Sequence, residues 1–119
     1  MTNFERVKGF HEACGTEDPT APTFPPAERI LLRLDLLEEE MDEIVEAVNE
    51  GDLSHLVKEI CDLIYVGYGF LLACGVDGDA VFAEVHRSNM SKFGPNGAER
   101  RDDGKILKGA NFSPADLSA

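Results

Sequence analysis

Two neighbouring stretches of the chain determine its fold class. Residues 27–50 read AERILLRLDLLEEEMDEIVEAVNE, and residues 53–74 read LSHLVKEICDLIYVGYGFLLAC. Apolar residues recur every three or four positions in the first stretch, which predicts an amphipathic helix. In the second stretch they cover nearly every direction around the axis, as in a helix that is buried on all sides. Gly51 suits the end of the first helix and Asp52 the cap of the second, so the sequence predicts a helical hairpin.

Two further helices and a tail complete the predicted architecture. A first helix is expected after Thr2 and should end near Gly15, before a proline-rich loop. A fourth helix is expected to end near Lys92, and residues 94–119, rich in glycine, proline and charge, should form a mostly irregular tail. No strand pattern is present. We therefore expect one all-α domain over residues 1–119, a four-to-five-helix bundle whose very apolar third helix is completed by pairing with a second chain.

The charge of the chain limits its partners. The formal net charge is -12, with 23 acids and 11 bases. Nucleic acids and anionic membranes are therefore not expected to bind. A polyanionic substrate would have to be bound through metal ions or a local basic patch. Six of the bases lie close together near the C-terminus: Arg87, Lys92, Arg100, Arg101, Lys105 and Lys108.

Cysteine usage and the N-terminal residues indicate the compartment. The cysteine count is odd and no C-x-x-C spacing occurs, so Cys61 and Cys74 are expected to be reduced core residues. The N-terminus has no basic-then-apolar signal pattern, and the apolar run 63–76 is too short to cross a bilayer. We expect a soluble, cytoplasmic protein. His11 is expected to lie at the surface.

An acidic cluster lies on the first helix of the hairpin. Seven acids and no base fall between Glu38 and Glu50. Glu39, Glu40 and Glu43 stand three and four positions apart, so their side chains are neighbours on the helix. Taken alone, such a run is more often a solvated face than a functional site.

A second acidic pair, Glu59 and Asp62, lies in the apolar helix. There an unpaired carboxylate is costly or has a shifted pKa. Glu43 and Glu59 are each eight residues from Gly51, and Glu40 and Asp62 are each eleven away. At about 1.5 Å per residue, the two pairs stand at equal heights on facing helices. The hairpin therefore predicts that four carboxylates converge.

Such a group of oxygen ligands, with no neighbouring His or Cys, suits Mg²⁺, with Mn²⁺ as the other possibility. Two such ions can bridge phosphate oxygens, neutralise developing charge and lower the pKa of an attacking water. Glu39, beside these ligands, can accept a proton from that water. A buried polar network that is balanced by basic residues elsewhere is the alternative.

Two runs carry a family resemblance: Glu39-Glu40-Met41-Asp42-Glu43 and Glu59-Ile60-Cys61-Asp62. They resemble the E-E-x-x-E … E-x-x-D signature of the all-α NTP pyrophosphatases, a superfamily that includes MazG, the dimeric dUTPases and phosphoribosyl-ATP pyrophosphohydrolase. Most of residues 28–116 is similar to a small MazG-like branch that hydrolyses dUTP to dUMP and pyrophosphate.

The resemblance implies a house-cleaning enzyme that releases a nucleoside monophosphate and pyrophosphate. It also implies a homodimer or tetramer whose active sites draw on more than one chain. The residues that it implies fall into three groups: Mg²⁺ ligands Glu40, Glu43, Glu59 and Asp62; the water-activating Glu39; and the substrate contacts Tyr65, Asn89, Lys92, Lys105 and Lys108. Core packing is an equally good prediction for Tyr65.

Three other functions stay open at this point. The first is phosphoribosyl-ATP pyrophosphohydrolase, or a (d)NTP hydrolase of broad specificity, on the same scaffold. The second is a di-iron carboxylate bundle, which the lack of Glu-x-x-His pairs disfavours. The third is a non-catalytic helical dimer, which gives no reason for Glu59 and Asp62 to face Glu40 and Glu43.

Overall fold

The computed structural model describes residues 1–94 and 97–118, and it confirms the all-α class. Four helices are present in this part of the chain: α1 (Asn3–Ala13), α2 (Ala27–Glu50), α3 (Leu53–Ala73) and α4 (Gly78–Met90). The tail contributes only isolated bridges between Gly94 and Gly97 and between Arg100 and Ile106. The chain divides into two compact units, Met1–Gly78 and Asp79–Ala119. That the whole chain is one domain stays a prediction.

Local signals in the sequence set the ends of the helices. The Thr2 hydroxyl oxygen accepts a hydrogen bond from the backbone N–H of Glu5 at 3.1 Å and caps α1. Gly51 ends α2 in the left-handed conformation, with a φ of 68° that favours glycine. Asp52 then caps α3, since its carboxylate accepts from the backbone N–H of His55 at 3.1 Å. These caps fix a short connection between α2 and α3, as the sequence predicts.

The core of the first unit lies where α1 packs against α3. Phe4, Val7 and Leu72 form its buried centre, and Tyr68 packs against them. The rings of Phe4 and Tyr68 meet edge to face, with centroids 5.9 Å apart. Because α3 also packs along most of α2, it is the central helix of this unit.

A buried arginine of α2 packs against the backbone of α3. Arg33 is 8% exposed, and its Nη2 donates to the carbonyl oxygen of Val66 at 2.9 Å. A Cβ on Gly69 would lie 1.9 Å from this Nη2, so only glycine leaves room for the guanidinium. The position of the Arg33 guanidinium against α3 therefore depends on Gly69.

The proline-rich loop is held to the helices by an ionic network around Asp18. His11 Nδ1 lies 2.9 Å from Asp18 Oδ2, and the guanidinium of Arg29 pairs with Oδ1 of the same carboxylate. Thr23 adds a backbone hydrogen bond to the carbonyl of Cys74 at 2.9 Å. His11 is 6% exposed, so the prediction of a surface histidine is wrong. Its burial is possible because Asp18 supplies a partner within the loop.

Helix α3 is not enclosed on all sides in this chain. Val57, Ile60 and Ile64 are 48%, 40% and 52% exposed. Cys61 is also exposed, and the prediction that it is a core residue is wrong. Cys61 and Ile64 border a groove beside α1 and are only partly covered by it. Among the described residues, no single helix is long and apolar enough to cross a membrane; α3 and α4 meet that criterion only when counted together across the break between them.

In the second unit the tail packs back onto the end of α4. The Ser91 hydroxyl accepts from the backbone N–H of Ser113 at 2.8 Å and donates to the carbonyl of Ser88 at 2.6 Å. The Arg87 guanidinium donates to the carbonyl of Pro114 at 3.1 Å. The described part of the tail is therefore irregular but anchored to the end of α4.

Candidate metal centre

The helical hairpin brings four carboxylates to one point. Glu40 and Glu43 come from α2, and Glu59 and Asp62 come from α3. One oxygen of each lies within 4.8 Å of an oxygen of every other. The convergence that the equal spacing about Gly51 predicts is thus present. Asp62 is about one third exposed, whereas Glu59 is nearly fully buried, so the cluster opens to solvent on the Asp62 side.

The geometry and chemistry of these oxygens fit a hard divalent cation. In an octahedral site with bonds of about 2.1 Å, ligand oxygens lie about 3.0 Å apart when adjacent and about 4.2 Å apart when opposite. The four acids have oxygens within 4.8 Å of one another, so a small inward movement of their side chains would give such a ligand set. Glu40 Oε2 and Glu59 Oε2 are buried and have no hydrogen-bond donor among the described residues. Such oxygens need a proton or a cation between them.

The electrostatics of the cluster indicate that it holds a proton when no cation is bound. Burial, and then the neighbouring Glu59 carboxylate, raise the pKa of Glu40 to about 7. Glu59 likewise raises the pKa of Glu43, with which it can share a hydrogen bond. The pKa of Glu59 is lowered, because Glu43 acts as its hydrogen-bond donor. The geometry thus favours protonation of Glu40 and Glu43 and ionisation of Glu59.

Two basic side chains of α3 border the acidic cluster. Lys58 Nζ lies 2.6 Å from Asp62 Oδ2, and these contacts with Asp62 and Glu59 raise the pKa of Lys58. His55 Nδ1 lies 3.0 Å from Glu50 Oε2, and its Nε2 lies 3.4 Å from Glu59 Oε1. The hydrogen bond to Glu50 raises the pKa of His55. The expectation that no histidine neighbours the acids is therefore wrong. The sequence could have predicted this neighbour, because His55 lies four residues before Glu59 and therefore on the same face of α3.

Glu39 lies beside the four acids along α2 but does not belong to their cluster. It is exposed, and it lines a shallow polar groove with Asp35, Glu38 and Asp42. A carboxylate in this position can exchange protons with solvent. Its role in activating water stays a prediction.

Tyr65 lines a mostly apolar groove between α1 and α3. Asn3, Arg6, Ile64 and Tyr68 also line this groove, which has a volume of about 200 Å³. Tyr65 is 37% exposed and meets the ring of Phe10 edge to face at 5.6 Å. The ring is thus partly packed and partly accessible, and it lies one helical turn beyond Asp62.

The remaining predicted substrate residues belong to the second unit. Asn89 and Lys105 are exposed, and the carbonyl of Lys92 accepts from the backbone N–H of Gly109 at 2.9 Å. Lys108 Nζ lies 4.7 Å from the centroid of the Phe112 ring, a cation–π contact. Their contact with substrate stays a prediction.

A helical hairpin with these two acidic pairs places the chain in the class of all-α pyrophosphohydrolase folds to which MazG is related. Residues 7–89 match the family described as phosphoribosyl-ATP pyrophosphohydrolase, and the chain belongs to this family. The matched segment contains all four clustered acids. An uncharacterized protein of Acanthamoeba polyphaga mimivirus, L479, is 30% identical over 103 residues, which cover 80% of this chain. The match covers only 40% of that relative's length.

Proposed function

We propose that this chain is a divalent-metal-dependent nucleoside-triphosphate pyrophosphohydrolase that yields a nucleoside monophosphate and pyrophosphate. One observation carries the proposal: four carboxylates of two helices lie within 4.8 Å of one another, and two of their buried oxygens lack donors. Family membership supports the reaction class. A structural module would gain nothing from this arrangement, since clustered like charges destabilise a fold.

The acidic residues of the site have two separate roles, metal binding and proton transfer. Glu40, Glu43, Glu59 and Asp62 would hold Mg²⁺, or Mn²⁺ in its place. When bound, the metal would neutralise charge that develops on the phosphate oxygens. Water attacks the phosphorus next to the nucleoside, the bond to the bridging oxygen breaks, and pyrophosphate leaves. Glu39 takes the proton of that water, and its exposure lets it return the proton to solvent.

For the substrate we propose dUTP or a related (d)NTP, bound with its nucleoside against Tyr65. Asn89, Lys92, Lys105 and Lys108 would contact the sugar and the phosphates. Since the net charge of -12 repels a polyanion, such a local group of bases would assist the metal in binding the phosphates. Phosphoribosyl-ATP is the second candidate substrate, because the matching family carries that name.

We also propose a second copy of this chain as a partner, forming a homodimer or a tetramer. Five apolar residues of α2 are 48–60% exposed, and the intervals between successive members are three, seven, four and three positions: Leu31, Leu34, Met41, Val45 and Val48. A seam of this spacing is typical of helices that pack against other helices. Together with the exposed apolar side of α3, it supports the expectation that the bundle is completed by another chain.

The proposed activity is tested with a panel of nucleotides that includes dUTP, the other (d)NTPs and phosphoribosyl-ATP, incubated with Mg²⁺. Products are separated by chromatography and identified by ³¹P NMR. We expect monophosphate and pyrophosphate, and no activity when the metal is chelated. Release of inorganic phosphate instead would contradict the proposed site of attack, and no hydrolysis of any nucleotide would favour a non-catalytic helical dimer.

The role of Glu39 is tested by comparing Glu39→Gln with Glu38→Gln. Both variants remove one negative charge from the same polar groove of α2. Glu39→Gln should lower kcat by about two to four orders of magnitude, as expected for loss of a general base, while Mn²⁺ still binds. Glu38→Gln should keep most of the activity. Equal kcat values for the two variants would remove Glu39 from the mechanism.

A further inference from the structure

The ammonium group of Lys58 lies among the proposed metal ligands. Its Nζ is 2.6 Å from Asp62 Oδ2 and 3.3 Å from Glu59 Oε1, so it bridges the two acids of α3. The Lys58 side chain is 66% exposed, whereas that of Glu59 is 4% exposed. A solvent-facing cation thus neutralises a buried carboxylate and its neighbour from the open side of the cluster.

We propose that Lys58 is a built-in counter-ion of the metal-free site, and that the metal displaces its ammonium group when it binds. This inference rests on the proposed metal centre. In the metal-free chain, Lys58 offsets the repulsion among acids that the hairpin forces together. Its presence therefore raises the metal concentration that is needed to fill the site.

The contacts of Lys58 indicate that its ammonium group competes with the metal for Glu59 and Asp62 and does not assist metal binding. A cation held by both Glu59 and Asp62 would lie about 2.1 Å from an oxygen of each. The ammonium already occupies the space next to both carboxylates, so the two cations would repel each other at close range. Lys58 can move into solvent without leaving a buried position, because most of its side chain is already exposed.

The alternative role for Lys58 is to position the Glu59 carboxylate for the metal. Lys58 and His55 both approach Oε1 of Glu59, and they leave Oε2 without a donor. If Lys58 served only to orient Glu59 for the metal, its removal would weaken metal binding. Competition and positioning therefore predict opposite signs for the same substitution.

The test measures Mn²⁺ binding to the full chain by electron paramagnetic resonance and by calorimetry, at one pH and low ionic strength. Lys58→Gln removes the ammonium, and Lys58→Arg keeps a positive charge at the same position. Lys8→Gln is the matched control, since Lys8 is exposed on α1 and its loss changes the net charge equally. We expect the Kd of Lys58→Gln for Mn²⁺ to fall about two- to fivefold, the range that exposed ion pairs allow. Lys8→Gln and Lys58→Arg should stay close to the wild-type value.

Thermal unfolding gives a second readout that does not depend on activity. Without metal, Lys58→Gln should melt below both the wild type and Lys8→Gln, and the difference should close at saturating Mn²⁺. A Kd for Lys58→Gln that equals or exceeds the wild-type Kd would overturn the proposal. A wild-type chain that binds no Mn²⁺ would contradict the metal centre itself, and with it the displacement of Lys58.

Discussion

Metal binding by the acidic cluster should release protons near neutral pH and should strengthen as the pH rises. The cause is Glu40, whose pKa is raised to about 7 when no metal is present. At that pKa the carboxyl is about 90% protonated at pH 6 and about 10% protonated at pH 8. A cation must displace this proton, so the Kd for Mn²⁺ should fall at least about tenfold between pH 6 and pH 8. Glu43 adds to the effect, because its pKa is raised as well.

Calorimetry in pairs of buffers with different ionisation enthalpies measures the number of protons released. We expect at least about 0.9 proton per site at pH 6 and only a small fraction of that at pH 8. Glu46→Gln, which removes an exposed acid from α2 outside the cluster, should leave both values unchanged. A proton count of zero at pH 6, with a Kd that does not change with pH, would refute this account of the site.

The same pKa of Glu40 affects the stability of the metal-free chain. It lies above the ordinary value of 4.5, so the folded state holds the proton more tightly than the unfolded state does. This contribution to stability is complete below about pH 4.5 and is lost as the pH rises to about 7. Added Mg²⁺ should therefore raise the melting temperature more at pH 8 than at pH 6.

Two further predictions concern the fold that positions the site. Gly69→Ala should lower the free energy of unfolding by about 1–3 kcal/mol, because its Cβ would displace the buried guanidinium of Arg33. Gly67→Ala is the control, because a Cβ on Gly67, two residues earlier on α3, would meet nothing within 4 Å. It should raise the free energy of unfolding, measured in urea, by about 0.5–1 kcal/mol. Equal effects of the two would contradict the assigned packing. Asp52→Ala should cost about 0.5–2 kcal/mol through loss of the α3 cap, and an unchanged urea midpoint would contradict that role.

The convergence of the acids could be predicted because it depends on local features alone. Apolar periodicity defines α2 and α3, Gly51 fixes the turn, and equal spacing on either side sets the register. Given two long antiparallel helices, the heights of Glu40 and Asp62 follow from the rise per residue. No long-range contact had to be known.

The features that the sequence does not reveal depend on contacts of irregular segments and on which helix faces are covered. His11 is buried because the proline-rich loop brings Asp18 beside it. The exposure of Cys61 could not be predicted, because a helix with apolar residues on every side does not show which side the same chain covers. Lys108 lies over Phe112, four residues later in the irregular tail, where no periodic pattern encodes such a contact.

The central claim is that the four clustered acids bind a divalent cation, and a crystal structure of the full chain grown with MnCl₂ tests it most directly. Anomalous scattering should show Mn²⁺ between Glu40, Glu43, Glu59 and Asp62, with bonds of roughly 2.0–2.3 Å to their oxygens. An anomalous map without a peak at this position, and with the acids still protonated or paired with Lys58, would contradict it.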